Sequence, residues 1–123
     1  LFNSDIKDFI TKAEIIQNAK VINNNICLAY TKTETDNINI VIAQAADELL
    51  NIKEVEASFV LARKDDRVFI SARSLGNINV HVLMENLGGG GHRDMAGAQL
   101  DTSLEKAYEM VKDTIQTYIK EEE

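Results

Sequence analysis

The stretch "LGGGGHRDMAGAQL" (Leu87–Leu100) decides how the chain is read, because four of the chain's six glycines stand in one row there and a histidine follows them. Before the row, "INVHVLMENL" sets Ile78, Val82, Leu83 and Leu87 at helix-compatible spacing, with Asn77 able to cap. After it, Met95, Gly97 and Gln99 alternate with Ala96, Ala98 and Leu100, the period of a strand. A single glycine at a helix C-terminus is explained by the left-handed conformation favoured there, which accounts for Gly88 and for Gly89 at most. Each further glycine makes ordering the chain harder by about 0.5–1 kcal/mol relative to alanine. Against a typical stability of roughly 5–15 kcal/mol, that is enough to ask for a use.

Two uses stay open on the residues alone. One is a structural connection; the other is a loop whose bare N–H groups meet the oxygens of a phosphate. A Walker loop runs from strand to helix and ends in Gly-Lys-Ser/Thr, and a dinucleotide fingerprint also runs from strand to helix. Here the order is helix to glycines to His92-Arg93, so both are excluded. His92 could donate to a phosphate, act as acid or base, ligate a metal, or simply face water. His81, between Val80 and Val82, reads as structural.

Working outward, Ile6, Phe9, Ile10, Ala13 and Ile16 share the spacing of one helical face, which predicts a helix over 5–18 capped by Ser4. "NNNICLAYT" predicts a turn and then a strand buried on both faces. A stripe of Ile38, Val41, Ile42, Ala45, Ala46, Leu49 and Leu50 predicts a helix over 38–50 behind Asp36 or Asn37. "VEASFVLA" and "RVFISAR", separated by "RKDD", predict a hairpin. Its alternation puts Val68, Ile70 and Ala72 on one face and Phe69, Ser71 and Arg73 on the other. The last helix carries Leu104, Ala107, Tyr108, Val111, Ile115 and Ile119 on one face, with Thr102 and Glu105 in a capping-box pattern. The predicted class is one α/β (α+β) domain over 1–123, a mixed β-sheet flanked by helices.

Composition narrows the function. Hydrophobic residues at 45% and charged ones at 27% are globular proportions. The one cysteine, Cys27, reads as a buried free thiol, which fits a reducing cytoplasm. No apolar run reaches the roughly 18 residues of a membrane span. The net charge of −7 argues against bulk electrostatic binding of long nucleic acid, so an anionic ligand must be met locally. Between Arg63 and Arg93 five basic residues face three acidic ones, while the remainder has eight against seventeen. In that window Arg73 offers a planar fork suited to a phosphate, or is an edge-strand arginine in water. Ser74 and Asn79 could contact the same ligand or cap the next helix. With two histidines and no carboxylate cluster at ligand spacing, no complete metal site is legible.

"ISARSLGNINVHVLMENLGGGGHRDMAGAQL", preceded by "AQAADELLNIKEVEASFVL", resembles the DHHA1 domain of the DHH phosphoesterase superfamily. It is most similar to the C-terminal part of membrane-anchored bacterial cyclic-di-AMP phosphodiesterases. The resemblance implies a domain that grips a cyclic dinucleotide or short oligonucleotide for a preceding DHH domain, which holds two divalent metals, commonly Mn²⁺. It carries Arg73 and Ser74 onto the family's arginine-serine element. Gly88, Gly89, Gly90, Gly91 and His92 fall on its glycine-rich substrate loop, and Asn79 on the position that follows. No Asp-His-His motif occurs in this chain, so the implied substrate-binding half has no catalytic or metal-binding residues of its own. Residues 1–20 are then a helical lead-in from the DHH domain. The implied setting is a cytoplasmic domain of a membrane-anchored bacterial signalling enzyme, with a homodimer left open. Two other readings stand beside this one: the related tRNA-binding C-terminal domain of alanyl-tRNA synthetases, and a non-catalytic interaction or dimerisation module.

Overall fold

The computed structural model describes residues 6–122. In chain order it contains α1 (Ile6–Gln17), β1 (Lys20–Ile22), β2 (Ile26–Thr31), α2 (Ile38–Leu49), β3 (Ala57–Lys64), β4 (Arg67–Ser74), α3 (Val80–Glu85), β5 (Gly90–Gly91), β6 (Met95–Leu100) and α4 (Leu104–Glu121). The single mixed sheet runs β1-β2-β3-β4-β6-β5. Only β2 and β3 are parallel, joined through α2; the other neighbours are antiparallel. Parallel neighbours need a long crossover, and α2 supplies it.

Strand alternation sorts the core into two layers. Leu28, Phe59, Ile70 and Ala98 face α3 and α4, where Leu83, Met84, Ala107, Val111 and Ile115 cover them. Cys27, Ala29, Val60, Ala62 and the partly buried Phe69 face α1 and α2, under Ile15, Ile42, Ala45 and Leu49. The strand at 26–31 is thus buried on both faces, as its composition predicted. Burial pushes the Cys27 thiol above its ordinary pKa, which keeps it protonated and unreactive.

Several local expectations are corrected. The stripe Ile6, Phe9 and Ile10 does not pack inside: these residues are exposed, and Asp8, Thr11 and Ile15 are the buried ones. Polar partners set that rotation, since Asp8 Oδ2 accepts from Asn37 Nδ2 at 3.0 Å and Lys12 pairs with Glu48 at 3.0 Å. The Ser4 cap lies outside the described residues. The hairpin turn is tighter than "RKDD": Asp65 and Asp66 alone form it, both with positive φ (52° and 64°), which suits the twist of the flanking strands. Ser103 rather than Thr102 caps α4, its Oγ accepting from Lys106 N–H at 3.1 Å. Two short strands were not foreseen, β1 and β5; the latter takes half of the glycine row.

Candidate functional site

The register of β4 against β6 sets Arg73 opposite Met95, where the turn 92–94 meets the strand end. Ser74 N–H donates to Asp94 O at 2.9 Å, and His92 N–H closes the turn on Met95 O at 2.7 Å. On the other side of the turn, Arg93 Nε donates to Gly76 O at 2.6 Å and Val80 N–H donates to Arg93 O at 3.0 Å. The arginine-serine element, the loop 75–79 and the histidine turn are thereby tied into one corner of the molecule. Glu56 braces it: its carboxylate accepts from Asn77 Nδ2 and from Asn25 Nδ2, the latter at 3.1 Å. Those two hydrogen bonds, that of Asn77 first, hold its carboxyl below the usual glutamate range.

Each side chain singled out in the sequence has a definite position. Arg73 is largely covered, 13% exposed; its Nε donates to Asp47 Oδ1 of α2 at 3.0 Å and its Nη1 to Ala72 O at 2.9 Å. Ser74 is buried, and its Oγ accepts from Gly76 N–H at 2.9 Å. Asn79 is the cap of α3, with Oδ1 accepting from His81 N–H at 3.1 Å and Val82 N–H at 3.4 Å. The expected cap, Asn77, turns to Glu56 instead. The backbone N–H of Asn79 donates to the hydroxyl of Tyr118 at 3.0 Å, which fastens this corner to α4. His92 is exposed.

The glycine row is not an open nest of N–H groups. Gly88 N–H donates to Glu85 O and Gly89 N–H to Met84 O, at 3.0 and 2.8 Å, while Gly90 and Gly91 pair with Gly97 and Ala96 of β6. Closing a helix directly against a strand edge accounts for most of the glycines. Gly88 has φ +84°, the helix-terminating conformation. A Cβ on Gly89 would lie 2.1 Å from Gly97 O, and one on Gly91, already at φ +145°, 2.5 Å from Ala96 Cα. Gly90 alone in the row has neither reason: its φ is not left-handed and nothing lies within 4 Å of a Cβ placed there.

Gly90 sits opposite Gly97, which sits opposite Ser71, so the three form a nearly bare strip across β5, β6 and β4. This strip faces the same side as Arg73, where helix cover ends. An open groove of about 490 Å³ results, walled by Asn39 and Ile42 of α2 and floored by Phe69, Ser71, Gly97 and Gln99, with Gly88 and Gly89 at its far edge. Arg73 stands two residues beyond Ser71 on the same strand face. Another recess, between Tyr30 and Tyr108, sets Lys20 and Lys32 against Glu105 and Glu109 and so offers an anion no net field. Among the described residues no three of His, Cys, Asp and Glu gather where they could hold a metal ion. Asp47 and Glu56 were missed from sequence; both are distant carboxylates whose partners appear only once the strands are paired.

A family model described as the DHHA1 domain matches residues 23–121. The chain belongs to the DHHA1 domain family. This DHHA1 domain is 42% identical over 119 residues to the cyclic-di-AMP phosphodiesterase GdpP of Bacillus subtilis (strain 168), covering 94% of the chain and 18% of that relative. The chain thus spans under a fifth of the relative's length. Its fold matches that of an exopolyphosphatase-related protein from Bacteroides fragilis, with a TM-score of 0.81 and 21% identity over 94% of this chain and 36% of that one. It also matches the C-Ala domain of Aquifex aeolicus alanyl-tRNA synthetase, with a TM-score of 0.58 and 18% identity over 79% of this chain and 96% of that one. At such identities the two structures speak for the fold alone. Among the described residues no helix of the DHHA1 domain is long and apolar enough to cross a membrane.

Proposed function

We propose that this DHHA1 domain is the substrate-binding half of a metal-dependent phosphodiesterase that hydrolyses cyclic dinucleotides, cyclic-di-AMP first among them, or short oligonucleotides. The observation that carries the reading is an open groove floored by Ser71 and Gly97, with Gly90 paired to Gly97 beside it and Arg73 two residues beyond Ser71 on the same strand face. Arg73 supplies a charged fork for a phosphate, and His92 and Ser74 stand at the same corner. The strip, with nothing beyond Cβ except the Ser71 hydroxyl, lets a flat or bulky nucleotide come close to the backbone. The 42% identity to a cyclic-di-AMP phosphodiesterase supports the substrate class.

In this reading two divalent ions, Mn²⁺ by expectation, belong to a DHH domain in a longer bacterial chain, anchored in the membrane with this domain on the cytoplasmic side. The 123-residue chain binds and does not cut. The fold is equally compatible with tRNA binding, but the net charge of −7 weighs against a polyanion held over a long surface. Isothermal titration of cyclic-di-AMP, the linear dinucleotide and tRNA into the chain, wild type and Arg73→Ala, tests the proposal. Dinucleotide binding that weakens at least roughly tenfold in Arg73→Ala is expected, the size of one lost charged hydrogen bond. Binding of tRNA alone would move the reading to the synthetase class, and binding of none to an interaction or dimerisation module.

A further inference from the structure

Arg73 does not reach the groove as a free cation. Asp47 Oδ1 holds its Nε at 3.0 Å and Ala72 O holds its Nη1 at 2.9 Å, which leaves Nη2 with no protein partner among the described residues. The two ends of the pair differ in setting: the arginine side chain is 13% exposed and the aspartate 62%. Asp47 lies on α2, the helix whose Asn39 and Ile42 wall the groove, and Arg73 lies on β4 two residues beyond Ser71 of its floor, so the pair stands beyond the groove's lining on the same two elements.

Two physical consequences follow. A long, flexible side chain gains a fixed orientation, and an arginine held by Nε and Nη1 offers its remaining nitrogen, Nη2, for a second anion. The pair as a whole is also neutral. A phosphodiester carries one negative charge per phosphate, whereas a terminal phosphate carries close to two at neutral pH. A neutral pair gives the second charge little return, because repulsion from Asp47 offsets attraction to Arg73 at similar distance. Solvent reaches Asp47, so the selectivity is several-fold rather than orders of magnitude.

We propose that Asp47 is a positioning and selecting residue: it clamps Arg73 so that Nη2 is offered to a phosphate, and its charge favours a phosphodiester over a terminal phosphomonoester. This rests on the reading of Arg73 as the phosphate contact.

The test uses the chain as wild type, Asp47→Asn and Asp47→Glu, with two readouts. In the ligand-free chain, the Arg73 Nε–Hε resonance is dispersed in wild type, collapses to the solvent-averaged position in Asp47→Asn, and is restored in Asp47→Glu. In calorimetry at low salt, the probes are the linear dinucleotide ApA and the same molecule with a 5′-phosphate, pApA. Asp47→Asn raises the affinity for pApA relative to ApA by roughly threefold, and Asp47→Glu keeps the wild-type ratio. An unchanged ratio in Asp47→Asn, with both probes still bound, overturns the proposal, as does an Arg73 resonance indifferent to Asp47. A dispersed resonance in a wild-type chain that binds neither probe would show the clamp to be present and the phosphate reading beneath it to be wrong, which removes the selecting role.

Discussion

Along β4, Val68, Ile70 and Ala72 lie beneath α3 and α4, whereas Phe69 and Ser71 line an open groove beside α2 and Arg73, beyond them on the same face, pairs with Asp47 of α2. The first face is closed from β2 to β6 by two helices; the second is closed only as far as β4, where α1 and α2 end. The same alternation that builds the core therefore builds the groove, and the difference lies in how far the helical cover extends. On the covered face side chains are large and close-packed, with Phe59 and Leu83 fully enclosed. On the uncovered one they shrink to Ser71, Gly97 and Gly90.

Substitutions can break this contrast in order of size. Phe59→Ala, on the closed face, removes an enclosed ring and should lower the unfolding free energy by about 3–5 kcal/mol in urea titration. Gly91→Ala comes next, at about 2–4 kcal/mol, because the new Cβ meets Ala96 at a φ that alanine avoids. If Gly91→Ala were neutral, β5 would not be held against β6 as described. Asn79→Ala should lose about 1 kcal/mol through the α3 cap. A variant with Asn79→Asp keeps the cap oxygen, so dinucleotide binding retained in Asp and stability retained with it would assign Asn79 to the cap rather than to the ligand.

The smallest effect is expected at the brace. Glu56 is held below its ordinary range, so its bonds to Asn77 and Asn25 stabilise the fold above the unfolded-state pKa, and that contribution fades as pH falls through the lower folded value. Wild type should thus melt slightly above Glu56→Gln at pH 7, and the two curves should converge in acid. A gap that widened in acid would contradict the assigned hydrogen bonds.

How much of this was legible beforehand depends on sequence distance. The alternation of β4 and β6, the helix over 38–50 and the doubly buried strand at 26–31 rest on local period and were read correctly. The rotation of α1 was not, because Ile6, Phe9 and Ile10 compete with Thr11 and Ile15 for the inner face. The choice is made by Asn37 and Glu48, far along the chain. The glycine row shows the same limit. Its conformational cost was apparent from composition, but the division of labour within it depends on the register of β6, which no local pattern encodes. Arg73 was singled out, while its partner Asp47, on a helix read only for its apolar stripe, was not.

The central claim is that three glycines of the row serve the fold and Gly90 serves the ligand. Calorimetric titration of cyclic-di-AMP into Gly90→Ala, alongside its urea midpoint, tests this most directly. The account predicts stability within about 1 kcal/mol of wild type, since the backbone there accepts alanine, and affinity lower by at least roughly tenfold. Affinity unchanged from a wild type that binds, in a variant that folds normally, would contradict it.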